Sequence, residues 1–121
     1  MTLTGTRTRA VVLAAEGRSF CAGAQFGGPT RKEPEEEPPP GDRHGRLQIY
    51  REGIRIFEAQ TPIVACVQGP AIRGGLGLAL TADFRVASPE ARFSANFAQL
   101  GFHHGFGLTV TLPRLVGQQQ A

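Results

Sequence analysis

The sequence predicts an α/β domain in which short parallel strands form a layer and helices make the crossovers between them. Three observations predict it. The runs "RAVVLAAEG" and "PIVACVQG" are short, continuous and apolar, the composition of strands buried on both faces. Between them Leu47, Tyr50, Ile54 and Phe57 recur at helical spacing. Glycines then gather at a strand-to-helix junction, "GPAIRGGLGLAL", where Gly69, Gly74, Gly75 and Gly77 interrupt an otherwise apolar segment.

The elements follow in order. "RAVVLAAEG" is a strand closed by Glu16-Gly17, and "GRSFCAGAQFGG" is a loop of small residues whose backbone lies close to something else. A segment low in hydrophobicity and rich in Pro and charge, "PTRKEPEEEPPPGD", is expected to be a mobile surface loop at about residues 27–41. The stripe from Asp42 to Ala59 is an amphipathic helix, stopped by Thr61-Pro62, with Tyr50 expected in the core. "PIVACVQG" is the second strand and "GGLGLALTAD" a helix entered through glycines. "FRVAS" and "ARFSA" are further strands, and "GLTVTL" is a helix expected to be cut at Pro113. No internal repeat is visible.

The totals restrict the function classes. A chain of 121 residues with 40% hydrophobic content holds one core and is not disordered by composition. Twelve of its 13 basic residues are Arg, spread along the chain for a net charge of +3, which makes no basic stripe for nucleic acid. Cys21 and Cys66 sit in apolar stretches without metal-like spacing, so free thiols in a reducing cytoplasm are expected. No segment approaches the ~20 apolar residues of a membrane span, and "MTLTGTRTRA" has no signal-type apolar run.

A glycine costs a helix interior about 0.5–1 kcal/mol relative to alanine, so a helix that begins with several of them needs a reason. One reading is close packing of helix on strand. A second is that the loops after Leu13 and Val67, carrying Ala22-Gly23-Ala24 and Gly74-Gly75, meet at one edge of the sheet and aim two backbone N–H groups at one oxygen, with a helix N-terminus behind them. A phosphate loop fits less well, since "GGLGLAL" lacks the third glycine of G-x-G-x-x-G and no G-K-[ST] occurs.

"GRSFCAGAQF", then "TPIVACVQGPAIRGGLGLALTADFRVASPEARFSANFAQLGF" and "LPRLVG", stand in the order found in the crotonase (enoyl-CoA hydratase/isomerase) superfamily, and from about Arg9 to Gly117 the chain resembles that family. The resemblance implies a ββα-spiral core, assembly as trimers or pairs of trimers, and an acyl-CoA substrate whose thioester enolate is stabilised by backbone donors. It assigns those donors to Ala24 and Gly74. It places Ala22, Gln25, Phe26, Ile72, Arg73, Gly75, Phe97 and Gly101 along the substrate. No metal or redox cofactor is expected, because oxyanion stabilisation needs only backbone N–H groups.

The sequence departs from that pattern in three places. Where the family's hydratases carry two glutamates for water and proton, this chain has Gly77 and Phe97, so hydration by paired carboxylates is not expected. Arg73 stands where relatives commonly have glycine, and as a long cation it would either meet a CoA phosphate or block the pocket. Members of the family are usually about twice as long, and Gln118-Gln119-Gln120-Ala121 is a polar tail where a helix would begin. A fragment, a truncated product or an incomplete gene model is therefore expected, with uncovered apolar faces that favour association.

His103 and His104 in "GFHHGFG" are the candidate acid–base groups; Ser94 and Asn96 could orient a water, and Asp83 reads as a helix–strand turn residue. The resulting expectation is a cytoplasmic enzyme of the enoyl-CoA hydratase/isomerase type. The alternatives are a non-catalytic acyl-CoA-binding or assembly module and an inactive truncated product.

Overall fold

A computed structural model of the chain describes residues 8–23 and 44–121. The elements are β1 (Val11–Leu13), α1 (His44–Phe57), β2 (Ile63–Val67), β3 (Pro70–Ile72), α2 (Gly74–Thr81), β4 (Phe84–Ala87), β5 (Arg92–Ser94), one 3-10 turn at Ala98–Leu100 and α3 (Leu108–Val116). The expected mobile loop at about 27–41 lies outside the described residues, as do Ala24, Gln25 and Phe26.

β-branched Ile63, Val64 and Val67 favour the strand in β2, "IVACV", which pairs with β1 on one side and β4 on the other. Both pairings are parallel, with Val11 opposite Ile63 and Val64 opposite Phe84. Parallel neighbours cannot be joined by a tight turn, and α1 and α2 lie on the two crossovers. Ile63, Ala65 and Val67 point into a core shared with Phe20, Ala71, Ala79 and Ala82. The alanines bring the helix backbone close to the sheet, and α2 is apolar on nearly all sides, as a helix enclosed by its neighbours must be. Asp83 lies in the turn between α2 and β4, as the sequence led one to expect, and there it accepts the Ile63 N–H at 2.8 Å, which ties the start of β2 to that turn.

The strands are not buried on both faces as expected. Val12, Phe84 and Val86 are 66%, 64% and 62% exposed, and the register puts them on the sheet face turned away from the core. An uncovered apolar face, expected from the sequence, is thus present among the described residues. The stripe of α1 also sits differently. Tyr50, Ile54 and Phe57 are about half exposed, while Gly53 is buried and Ile56 packs against the core. The Phe106 ring lies against Gly53, 3.1 Å from where a Cβ would stand, so the helix rests on its smallest residue and Tyr50 is not a core residue.

α3 runs through Pro113 instead of ending there. The missing N–H would have met the carbonyl of Thr109, an exposed residue in the first turn where water can take its place.

The single predicted layer is two sheets. β3, read from the sequence as part of a glycine loop, pairs in parallel with β5, and Cys21 bridges to Ala71 on its other side. The chain changes sheet at Gln68-Gly69. The Gln68 side chain donates to the carbonyls of Ala15, Gly17 and Ser19 at 3.0, 3.2 and 3.2 Å, while the Gly69 backbone lies against the Arg18 carbonyl. One turn further on, the Cys21 carbonyl accepts the Ile72 N–H at 2.9 Å and lies where a Cβ on Gly75 would be. At these two positions the glycines admit the protein's own backbone.

Gly75→Ala is expected to lower stability by at least ~3 kcal/mol, because backbone on both sides has to move. Gly74→Ala, whose Cβ would meet nothing within 4 Å, should stay within about 1 kcal/mol of the wild type. Urea unfolding of the two variants side by side checks the contrast.

Candidate active site

Where the loop at residues 21–23, the start of α2 and the inner face of α1 come together, they leave an open cavity of about 520 Å3. Its size falls in the range of small-molecule pockets. Ile56 and Leu78 supply aliphatic wall, and Tyr50, Phe97 and Phe106 supply aromatic wall. Gly23, Arg73 and Gly74 line it at the junction of that loop with α2. Apolar walls around a backbone donor lower the local dielectric and strengthen its field.

The donor end follows from local structure. Gly74 is the first residue of α2, so its N–H has no intrahelical partner, and the space beside its Cα is open. The preceding Arg73 N–H is already bonded to the Ser94 carbonyl at 2.7 Å, and Gly77 closes the first turn onto the Arg73 carbonyl at 3.0 Å. The aligned peptides of α2 add a partial positive charge at this end.

Other residues singled out by the sequence separate. Arg73 and Phe97 line the cavity with Gly74. Ala22 is exposed at the loop, and Ile72 closes β3 with its N–H on Cys21. Gly75 is buried, the place of its Cβ is taken by the Cys21 carbonyl, and it is not part of the cavity wall. Gly101 caps the 3-10 turn in a left-handed conformation (φ 72°), bonded to the Ala98 carbonyl, and is not part of the cavity wall.

His103 and His104 do not line the cavity either. Both are exposed and border a second hollow formed with Leu108, Leu112 and Gln118, because the 3-10 turn and Gly101 carry the chain past the cavity before Phe106 turns back into it. Ser94 serves through its carbonyl, and the Asn96 side chain donates to Gln99 at 3.4 Å. Both cysteines are free, with Cys21 in the cavity wall. Glu90, whose carboxyl is held below its ordinary range by a hydrogen bond from the Ser88 side chain, lies outside the wall.

Two groups in the wall escaped the sequence reading. Glu52, on α1, is the carboxylate of the wall among the described residues; it forms an exposed ion pair with Arg55 at 2.9 Å. Such a pair holds its carboxylate weakly. Phe106 has a positive φ of 55° and packs between α1 and α2, its Cβ 2.6 Å from where a Cβ on Gly77 would stand. The position at which the resemblance would have placed a glutamate is thus filled from outside the helix. The acidic Glu52 is legible in the sequence, but only the fold brings it to the cavity; the flanking glycines of Phe106 were the one available hint of a forced turn.

Comparison with known proteins bears on this arrangement. Residues 3–121 match the family described as enoyl-CoA hydratase/isomerase. A "probable enoyl-CoA hydratase" of Mycobacterium tuberculosis is 40% identical over 114 residues, covering 93% of this chain and 42% of the relative. The alpha subunit of a fatty acid oxidation complex from Pseudomonas putida is 46% identical over 74 residues, which are 58% of this chain and 10% of that one. In structure, an enoyl-CoA hydratase subunit of Geobacillus kaustophilus superposes with a TM-score of 0.76 at 33% identity, over 97% of this chain and 43% of that one. An enoyl-CoA hydratase of Thermoplasma volcanium gives 0.72 at 31% identity, over 93% and 44%. The chain spans less than half the length of these relatives.

Gly77→Ala is expected to destabilise by about 1–2 kcal/mol, the overlap with Phe106 outweighing alanine's better helix propensity. In a Phe106→Gly background the same change should be neutral or stabilising. A double-mutant cycle measured by thermal unfolding reads the coupling.

Proposed function

The chain belongs to the enoyl-CoA hydratase/isomerase family, and from that premise we propose that its apolar cavity binds an acyl-CoA thioester and stabilises the enolate-like oxygen formed when the carbon beside the thioester loses a proton. The observation that carries this reading is Gly74: a helix-leading N–H without intrahelical partner, beside open space, in the wall of an apolar cavity. In this reading the second donor is Ala24, the residue after the described Gly23, and Gln25 and Phe26 follow along the substrate. Each such donor is worth about 3–4 kcal/mol in the transition state. Glu52 is the group that takes the proton, since Gly77 and Phe97 offer no side-chain acceptor and the histidines border another hollow. Self-association belongs to the same reading, with Val12, Phe84 and Val86 on the sheet and Val110, Leu115 and Val116 on α3 supplying apolar surface for it.

A second reading is a non-catalytic acyl-CoA-binding module. The packing of Phe106 over Gly77 and the aromatic ring of Phe97 favour it, because both positions expected to handle protons are apolar.

Calorimetric titration with crotonyl-CoA and acetyl-CoA, together with exchange of the acetyl-CoA methyl protons into deuterium oxide, separates the two readings. The first expects binding and exchange, with Glu52→Gln keeping the binding and losing exchange at least ~10-fold, and with His103→Ala and His104→Ala behaving as wild type. Binding without exchange establishes the second reading. A folded protein that binds neither ligand overturns both.

A further inference from the structure

We infer that Arg73 is a positioning residue, whose side chain straps residues 21–23 in place and so fixes the loop that lines the cavity together with Gly74. Arg73 has φ 55° and ψ −117°, a backbone conformation that a residue with a Cβ adopts only at a cost and that glycine adopts freely. Backbone bonds hold it there on both sides: its N–H donates to Ser94 at 2.7 Å, and its carbonyl accepts from Gly77 at 3.0 Å. A strained residue that a glycine would relieve needs a use for its side chain.

The side chain runs back across the loop. Its Nη2 donates to the Ala22 carbonyl at 3.3 Å. Its Nε and Cβ lie 3.4 and 3.5 Å from where a Cβ on Gly23 would stand, and that Nε is buried. Gly23 itself is left-handed (φ 77°), so this stretch has little intrinsic stiffness. The Cys21 N–H on Pro70 at 3.1 Å and the Ile72 N–H on Cys21 at 2.9 Å anchor the segment upstream of Ala22, and Arg73 extends the anchor across Ala22 and Gly23. The planar, donor-only guanidinium suits this, since it can meet a carbonyl while its stem covers a glycine. The consequence for ligand binding rests on the proposed function; the holding of the loop does not.

The test compares the wild-type chain with Arg73→Gly and Arg73→Met by amide hydrogen exchange, thermal unfolding and calorimetric titration with crotonyl-CoA. In Arg73→Gly the Tm should be unchanged or raised, while the amides from Cys21 to Gly23 exchange about tenfold faster. Crotonyl-CoA should bind about tenfold more weakly, the loss in affinity following the loop and not the fold. Arg73→Met keeps the stem and the strained backbone but not the donors, so it should show the same faster exchange. Unchanged exchange in both variants overturns the strap, and tighter binding by Arg73→Gly would show that the cation obstructs the cavity instead. Should the wild type bind no acyl-CoA, the proposed function fails, and the exchange rates still decide the role of Arg73.

Discussion

The rest of the described structure depends on the Cys21 carbonyl. It accepts the Ile72 N–H, and it occupies the place of a side chain on Gly75, so one peptide group joins the loop after β1 to both β3 and α2. The contact leaves no choice of residue at position 75, and it brings residues 21–23 level with the start of the helix. Gln68 makes the corresponding attachment one step earlier, three carbonyls of the preceding loop converging on its amide. Without these attachments the sheet of β1, β2 and β4 would still pair, but residues 21–23 would lose their backbone anchor beside the start of α2.

Close backbone contact leaves little room for large side chains between α2 and the sheet, and the core there is mostly alanine. The missing volume is supplied from elsewhere. Phe106 turns inward at a positive φ, helped by Gly105 and Gly107, and packs against Gly53 of α1 and Gly77 of α2. The same ring forms part of the cavity wall. Packing and site construction are therefore one act here: what closes the gap between two helices also makes the cavity apolar and fills the position where a helix-borne acid would stand.

Much of the strand grammar was legible in the sequence. The β2 run, the glycine-led α2 and the FRVAS strand all stand where their apolar patterns put them, and the parallel pairing follows from the helices between them. Three features were not legible, each because it depends on contacts between distant residues. β3 is three residues long and earns its hydrogen bonds from β5 and Cys21, so its own composition carries no strand signal. The Tyr50–Ile54–Phe57 stripe has correct helical spacing, yet a neighbouring ring decides which part of the helix is buried. His103 and His104 lie only a few residues from Phe106 in the chain but face a different hollow, because Gly101 turns the backbone between the 3-10 helix and that loop.

The proton chemistry proposed for this cavity depends on the same contacts. A carboxylate at position 77 of α2 would have to displace Phe106, and the ring also packs against Gly53 of α1, so gaining an acid there would loosen the cavity wall. A carboxylate on α1 carries no such conflict. Glu52 lies one position before Gly53, where the ring already packs, and its partner Arg55 holds it from the solvent side through a pair that is 58% and 64% exposed. An ion pair in that setting is worth at most about 1 kcal/mol, so in the proposed reaction the carboxylate gives up its arginine partner at little cost. The Gly74 N–H and the Glu52 carboxylate belong to different helices, with Phe106 packed against Gly53 of one and Gly77 of the other, which makes the spacing between them a property of helix packing and not of any local motif.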